Sequence, residues 1–170
     1  SAMRLMQTND DMIVSPWKEH HDMFLAAPCS GVRVRVEFDT SHLEIQRTMV
    51  RKTCIKSVIV RSNDAMVKVS LNREAPVNDQ LVPVIVNTEH VRIQQRRSYT
   101  YHSNWQYDFS MTWSGRTKSE AERSQQLDDP TFEMEIELIA GSYVAVHTDE
   151  FVAESLLLKA QDFTRMLQVP

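Results

Sequence analysis

Hydrophobic and polar residues alternate with a period of two along much of this chain, the pattern of half-buried strands. Val32 to Asp39 reads V-R-V-R-V-E-F-D. Ala65 to Asn72, Val91 to Tyr101, Trp105 to Trp113 and Thr131 to Ile139 alternate in the same way. Asp39-Thr-Ser-His42 and Ser62-Asn63-Asp64 are turn signals. Between them, Leu43 to Val50 returns as a hairpin partner and continues through Arg51-Lys52-Thr53 into Val58 to Arg61. Pro76 makes Ala75 to Asp79 a loop, and Pro83 restricts Leu81 to Val86 to an edge strand or extended loop. Two stretches read as helix. Trp17 to Ala27 follows Pro16 and carries apolar residues at 17, 23, 24 and 27; Asp149 to Leu167 follows Thr148, a good N-cap, with two acids in its first turn. Ser114 to Pro130 is polar and charged, a mobile loop with a short helix near Ser119 to Arg123. The expectation is a mainly β protein with flanking helices, without internal repeat or domain boundary.

The polar faces of the strands carry the chemistry. Val32 to Asp39 presents Arg33, Arg35 and Glu37; Val91 to Tyr101 presents Arg92, Gln94 and Arg96; Trp105 to Trp113 presents Gln106, Asp108 and Ser110. Glu133, Glu135 and Glu137 follow one another on one face at steps of roughly 6.5–7 Å. Charge rows of this kind most often line a solvated sheet face. Three like charges in a row nevertheless repel, and a hard divalent ion such as Mg²⁺ or Mn²⁺ would offset them. Closing the sheet into a barrel would gather arginines and carboxylates in one lumen. Arginine's planar fork suits phosphate oxygens there.

Composition narrows the alternatives. The chain has 170 residues, 42% of them hydrophobic and 25% charged, as expected of a folded chain of about one domain. The glycines Gly31, Gly115 and Gly141 form neither a dinucleotide loop nor a phosphate-binding P-loop. Any phosphate must be held by side chains. The net charge of −4 argues against a nucleic-acid-coating surface, but leaves room for a local basic site. Cys29 and Cys54 read as free thiols of a reducing compartment. No apolar run approaches the roughly 18 residues of a membrane span, so no membrane partner is expected. Ser1-Ala2-Met3 reads as a tag remnant, which places the natural start elsewhere. His20-His21 reads as a solvated pair.

Taken in order, Arg35-Val-Glu37-Phe38-Asp39, then Lys68 to Val77 with Glu74, then Arg92-x-Gln94-x-Arg96-x-Ser98-Tyr99, Asp108-x-Ser110 and Glu133-x-Glu135-x-Glu137 resemble a known family. It is the metal-dependent RNA 5′-triphosphatases of mRNA capping in fungi, protozoa and some viruses, of the triphosphate tunnel metalloenzyme superfamily. The resemblance runs from about Arg33 to Leu138. It implies an antiparallel eight-stranded β-barrel with a charged lumen, built by residues 1–170 as one domain. It also implies removal of the γ-phosphate from the 5′-triphosphate end of nascent RNA, with nucleotides as further substrates and Mg²⁺ or Mn²⁺ as cofactor. The implied metal ligands are Glu135 and Glu137; Glu133, Glu74 and Asp108 serve catalysis; Arg35, Lys52, Arg92 and Arg96 bind phosphate. A guanylyltransferase partner, and a nuclear location (cytoplasmic for a virus), follow from the same resemblance. Three positions depart from it. The family's upstream E-x-E strand is not seen in residues 1–31, its lysine between the two arginines is Gln94, and a basic residue is replaced by Gln106. These departures keep open a truncated enzyme and a noncatalytic tunnel-fold module that binds an RNA end or a protein. An unrelated β-sandwich with solvated polar faces is the remaining alternative.

Overall fold

A computed structural model describes residues 12–27, 29–39, 41–61, 66–78, 87–139 and 141–167. Eight strands form one antiparallel sheet: β1 (Met12–Val14), β2 (Lys18–Leu25), β3 (Val32–Phe38), β4 (Glu44–Arg61), β5 (Met66–Pro76), β6 (Thr88–Tyr101), β7 (Trp105–Gly115) and β8 (Thr131–Leu138). Their order is β5-β4-β3-β2-β6-β7-β8, with β1 continuing the line of β2 along β6. Three helices follow from the same chain: α1 (Lys118–Gln126), α2 (Gly141–Val146) and α3 (Asp149–Leu167).

The sheet curls. Lys52 on β4 exerts an electrostatic pull on Glu137 of β8, and Arg35 on β3 feels Glu135 of β8, although several strands separate each pair. β5 and β8 form the two edges, so the described residues make a half-barrel whose polar face lines the lumen.

The apolar face supplies the core, and alternation decides which residues reach it. Val32, Val34 and Val36 are buried, as are Val91, Ile93, Tyr99, Trp105, Tyr107 and Trp113. One cluster joins Val91, Ile93 and Trp113 to Ala121 of α1. Gly115 allows this approach, because a Cβ there would come within 2.5 Å of the Glu120 Cβ and 2.6 Å of the Ala121 nitrogen. Thr117 caps α1 through the Glu120 amide at 3.2 Å. A second cluster of Tyr99, Trp105 and Tyr107 is covered in part by Leu156 of α3, whose Lys159 ammonium stands 4.6 Å from the Trp105 ring. The expected N-cap of α3 is present, with Thr148 Oγ1 accepting from the Phe151 amide.

Several expectations need correction. Trp17 to Ala27 is not a helix; Lys18–Leu25 is a strand between β3 and β6. A strand therefore does occupy the place upstream of Val32 where none was expected. The short helix expected near Ser119 to Arg123 is present but longer, as the nine-residue α1. The expected continuation of Leu43 to Val50 through Arg51-Lys52-Thr53 to Arg61 is present as one 18-residue strand from Glu44, whereas Pro76 ends β5 rather than sitting in a loop. Beyond Arg51, β5 is the one strand paired with β4 among the described residues, and the two continue as a ribbon. Ser62-Asn63-Asp64 and Leu81 to Val86 lie outside the described residues.

Candidate active site: a charged lumen

Two arginine–carboxylate centres organise the lumen. The first is built on Asp22 of β2, which is fully buried. Its neighbours in register are Arg35 on β3 and Arg92 on β6. Arg35 donates through Nε and Nη2 to the two carboxylate oxygens at 2.7 and 2.8 Å, and Arg92 Nη2 adds a bond of 3.2 Å. Burial pushes the Asp22 carboxyl up. The Arg35 hydrogen bonds and the charges of Arg35, Arg33 and Arg92 outweigh that and hold it below its ordinary value. Arg35 responds in kind: burial disfavours its charge, but Asp22 raises its pKa overall.

The second centre is built on Arg96 of β6. Its Nη1 donates to Asp108 Oδ2 at 2.8 Å, Nη2 to Glu135 Oε2 at 3.0 Å and Nε to Ser110 Oγ at 3.2 Å. Gln106 Nε2 reaches both oxygens of Asp108, at 3.0 and 3.1 Å. Asp108 is 1% exposed, and Arg96 is the cation bonded to it there. A cavity of about 340 Å³ opens beside this centre, lined by Lys18, His20, Arg35, Arg96, Gln106 and Asp108, with Ser15, Ser98 and Thr100.

The remaining anticipated residues fall around these centres. Glu133 Oε2 accepts from Thr112 at 3.1 Å and Gln94 at 3.3 Å, with Arg92 Nη1 at 3.8 Å. Gln94, where the family resemblance implied a lysine, is wholly buried and tied to Glu133 and Thr112. Glu74 lies farther along the lumen, 3.4 Å from Lys52 and 3.5 Å from Arg33. Lys52 is thus apart from the Arg35–Arg92 and Arg96 centres. Glu137 has no ion pair among the described residues. It sits exposed on the edge strand, yet desolvation by the surrounding sheet, then Glu135 and Asp108, raise its pKa; Arg96 and Lys52 offset this only in part.

Lys18, His20 and Asp22 are lumen residues that sequence reasoning missed. His20 is buried, and is not the solvated residue it was expected to be. The available signal was the alternation of Lys18, His20 and Asp22 against His21, Met23 and Leu25, obscured by adjacent Met23 and Phe24.

Residues 9–153 match the family model of the mRNA capping enzyme, beta chain. The chain belongs to this family. No curated protein matches it by sequence. Among solved structures it resembles the S. pombe Pct1 RNA triphosphatase, with a TM-score of 0.59 and 16% identity, covering 98% of this chain and 63% of that one. It also resembles the Mimivirus capping enzyme triphosphatase, in a monoclinic form (TM-score 0.58, 14% identity, 94% of this chain and 79% of that one) and in a triclinic form (TM-score 0.57, 13% identity, with the same coverage). This chain thus spans under two thirds of the length of Pct1. The shared fold is the triphosphate tunnel. Capping triphosphatases of that tunnel type are metal-dependent enzymes of the first capping step. In this chain the strand before β3 carries His20 and Asp22 on its lumen face and no E-x-E pattern.

Proposed function

We propose that this chain binds the 5′-triphosphate end of RNA in its lumen together with a divalent cation and removes the γ-phosphate, leaving a diphosphate end. One observation carries the reading: the curled sheet faces Arg35, Arg92 and Arg96 toward Glu133, Glu135 and Glu137 across one lumen. Charge balance supports it. Among the described residues, Lys18, Arg33, Arg35, Lys52, Arg92 and Arg96 share the lumen with Asp22, Glu37, Glu74, Asp108, Glu133, Glu135 and Glu137, one more carboxylate than cation. A divalent cation entering with the triphosphate would offset part of the negative charge gathered there.

The donor chemistry fits a hard cation at one place. Glu137 is the lumen carboxylate without a cationic partner among the described residues; burial first, then the charges of Glu135 and Asp108, raise its pKa. Glu135 stands beside it and would share the ion. Asp22 is already occupied by two guanidiniums, and no three His, Cys, Asp or Glu side chains of the described residues converge as a complete site. When bound, the cation supplies charge neutralisation at the phosphoryl group. Arg35 and Arg96 bind and orient the phosphate oxygens. Glu133 engages its partners through one oxygen, which leaves the other to position the attacking water. Asp108 and Gln106 fix the orientation of Arg96. A diphosphate product suits a guanylyltransferase as the next enzyme, and a nuclear location, or a cytoplasmic one for a virus, accords with that order of steps.

The test is phosphate release from 5′-triphosphate RNA and from ATP, with and without Mn²⁺, for the wild type, Glu135→Ala and Arg96→Ala. Metal-dependent release lost in both variants is expected. Binding of triphosphate RNA without release would instead support a noncatalytic RNA-end module, the reading favoured by Gln94, Gln106 and the His20–Asp22 strand.

A further inference from the structure

The proposed hydrolysis leaves one buried titratable group in the lumen without a task. His20, in the middle of β2, is 6% exposed and lines the same cavity as Arg35 and Arg96. Its neighbours in register are Glu37 on β3 and Gln94 on β6. Its Nδ1 is buried and makes no hydrogen bond among the described residues. The nearest carboxylate oxygen, Glu37 Oε2, is 3.9 Å away, and Glu37 is already held by Lys18 at 2.6 Å. Among the described residues, Nδ1 is thus bound by no hydrogen bond and meets Glu37 only at long range.

Its charge state is set by burial first and then by the residues that would hold phosphate. Burial, then Arg35, disfavour the imidazolium, with Arg96 acting the same way; Glu37 and Asp22 favour it, and the net result is a pKa of about 4. From the other strands, Gln94 of β6 is neutral, and Asp108 of β7 and Glu135 of β8 are both paired with Arg96. The empty cavity therefore holds a neutral histidine between two guanidiniums. A polyanion seated on those guanidiniums reverses the field at the ring.

We propose that His20 is a phosphate-contacting residue of this lumen that takes up a proton from solvent as the triphosphate group binds. This rests on the triphosphate reading of the same cavity. The neutral ring becomes an imidazolium with two N–H donors; one N–H bond forms with a proton released by solvent or buffer, and no other covalent bond changes. Affinity then rises as pH falls, by up to about tenfold per unit between the bound-state and free-state pKa values.

The test uses the hydrolysis-resistant nucleotide AMP-PNP with Mg²⁺, titrated calorimetrically into the full chain in buffers of different ionisation heat between pH 5 and 7. The expected result is proton uptake in the wild type that exceeds that of His20→Gln, because glutamine keeps an N–H donor but cannot titrate. Protonation of the nucleotide itself is common to both proteins and cancels. A second measurement needs no variant: ¹⁵N spectra of the histidine rings, with His20 assigned through its backbone, should move from the neutral to the imidazolium pattern on adding AMP-PNP. Binding with equal uptake in His20→Gln, or with a His20 ring that stays neutral, overturns this proposal and spares the triphosphate reading. Failure of AMP-PNP to bind at any pH overturns both.

Discussion

Asp22→Asn is the sharpest perturbation of this lumen. It keeps the shape of the side chain, but removes the charge that holds Arg35 and Arg92 side by side. Breaking a buried pair by removing one partner costs about 3–5 kcal/mol, because the other charge stays behind. Here the arginines are 19% and 21% exposed, so water recovers part of that and about 2–4 kcal/mol is expected. For a chain of this size that is a drop in Tm of roughly 5–15 °C. Thermal melts and urea titrations at pH 7 measure it. The acid limb supplies a second signature. The Asp22 carboxyl lies below its ordinary value of 3.8 in the fold, so its stabilisation is complete above that pH and disappears as pH falls through the folded value. Asp22→Asn should lack this component. The freed guanidiniums should also make the variant gain more Tm from tripolyphosphate than the wild type does. A Tm within about 2 °C of wild type, or a smaller gain with tripolyphosphate, would refute the electrostatic account of this centre.

Other outcomes follow from the same geometry. Arg96→Lys should lose activity about as Arg96→Ala does, by about 10²–10³ in kcat, because one ammonium cannot serve Ser110, Asp108 and Glu135 in the fixed directions of a guanidinium; phosphate-release kinetics decide it. His20→Gln should be less sensitive to acid. The wild-type chain loses stability as pH falls from 6.5 toward about 4, since the unfolded histidine takes the proton first; urea unfolding across that window should show roughly 3 kcal/mol less loss in the variant. Gly115→Ala should cost about 1–3 kcal/mol, because its Cβ meets the backbone and Cβ of α1; the loss should appear as faster hydrogen exchange of α1 amides as well as a lower Tm.

The alternation of apolar and charged residues determined β3, β6, β7 and β8, because a strand with one face in the core must repeat every second residue. It also placed Arg35, Arg92, Arg96, Asp108 and the three glutamates on the polar faces, and the helix of α3 behind its Thr148 cap. β2 escaped this reading because its buried inward residues, His20 and Asp22, are themselves polar, and its apolar Met23 and Phe24 are adjacent. α1 was legible only as a short helix near Ser119 to Arg123 in a polar stretch, because it buries little more than Ala121, against a surface built by β6 and β7.

What the sequence determined by itself was the content of each face; the tertiary structure alone decided which faces meet. Asp22 lies 13 residues from Arg35 and 70 from Arg92, and only the β3-β2-β6 order makes them neighbours. The pull of Lys52 on Glu137 depends on the curl of the whole sheet. Side-chain periodicity is a local property of the backbone, whereas strand order and curvature come from burying the apolar face beneath α1 and α3. The electrostatics of the lumen follow from that second, non-local step.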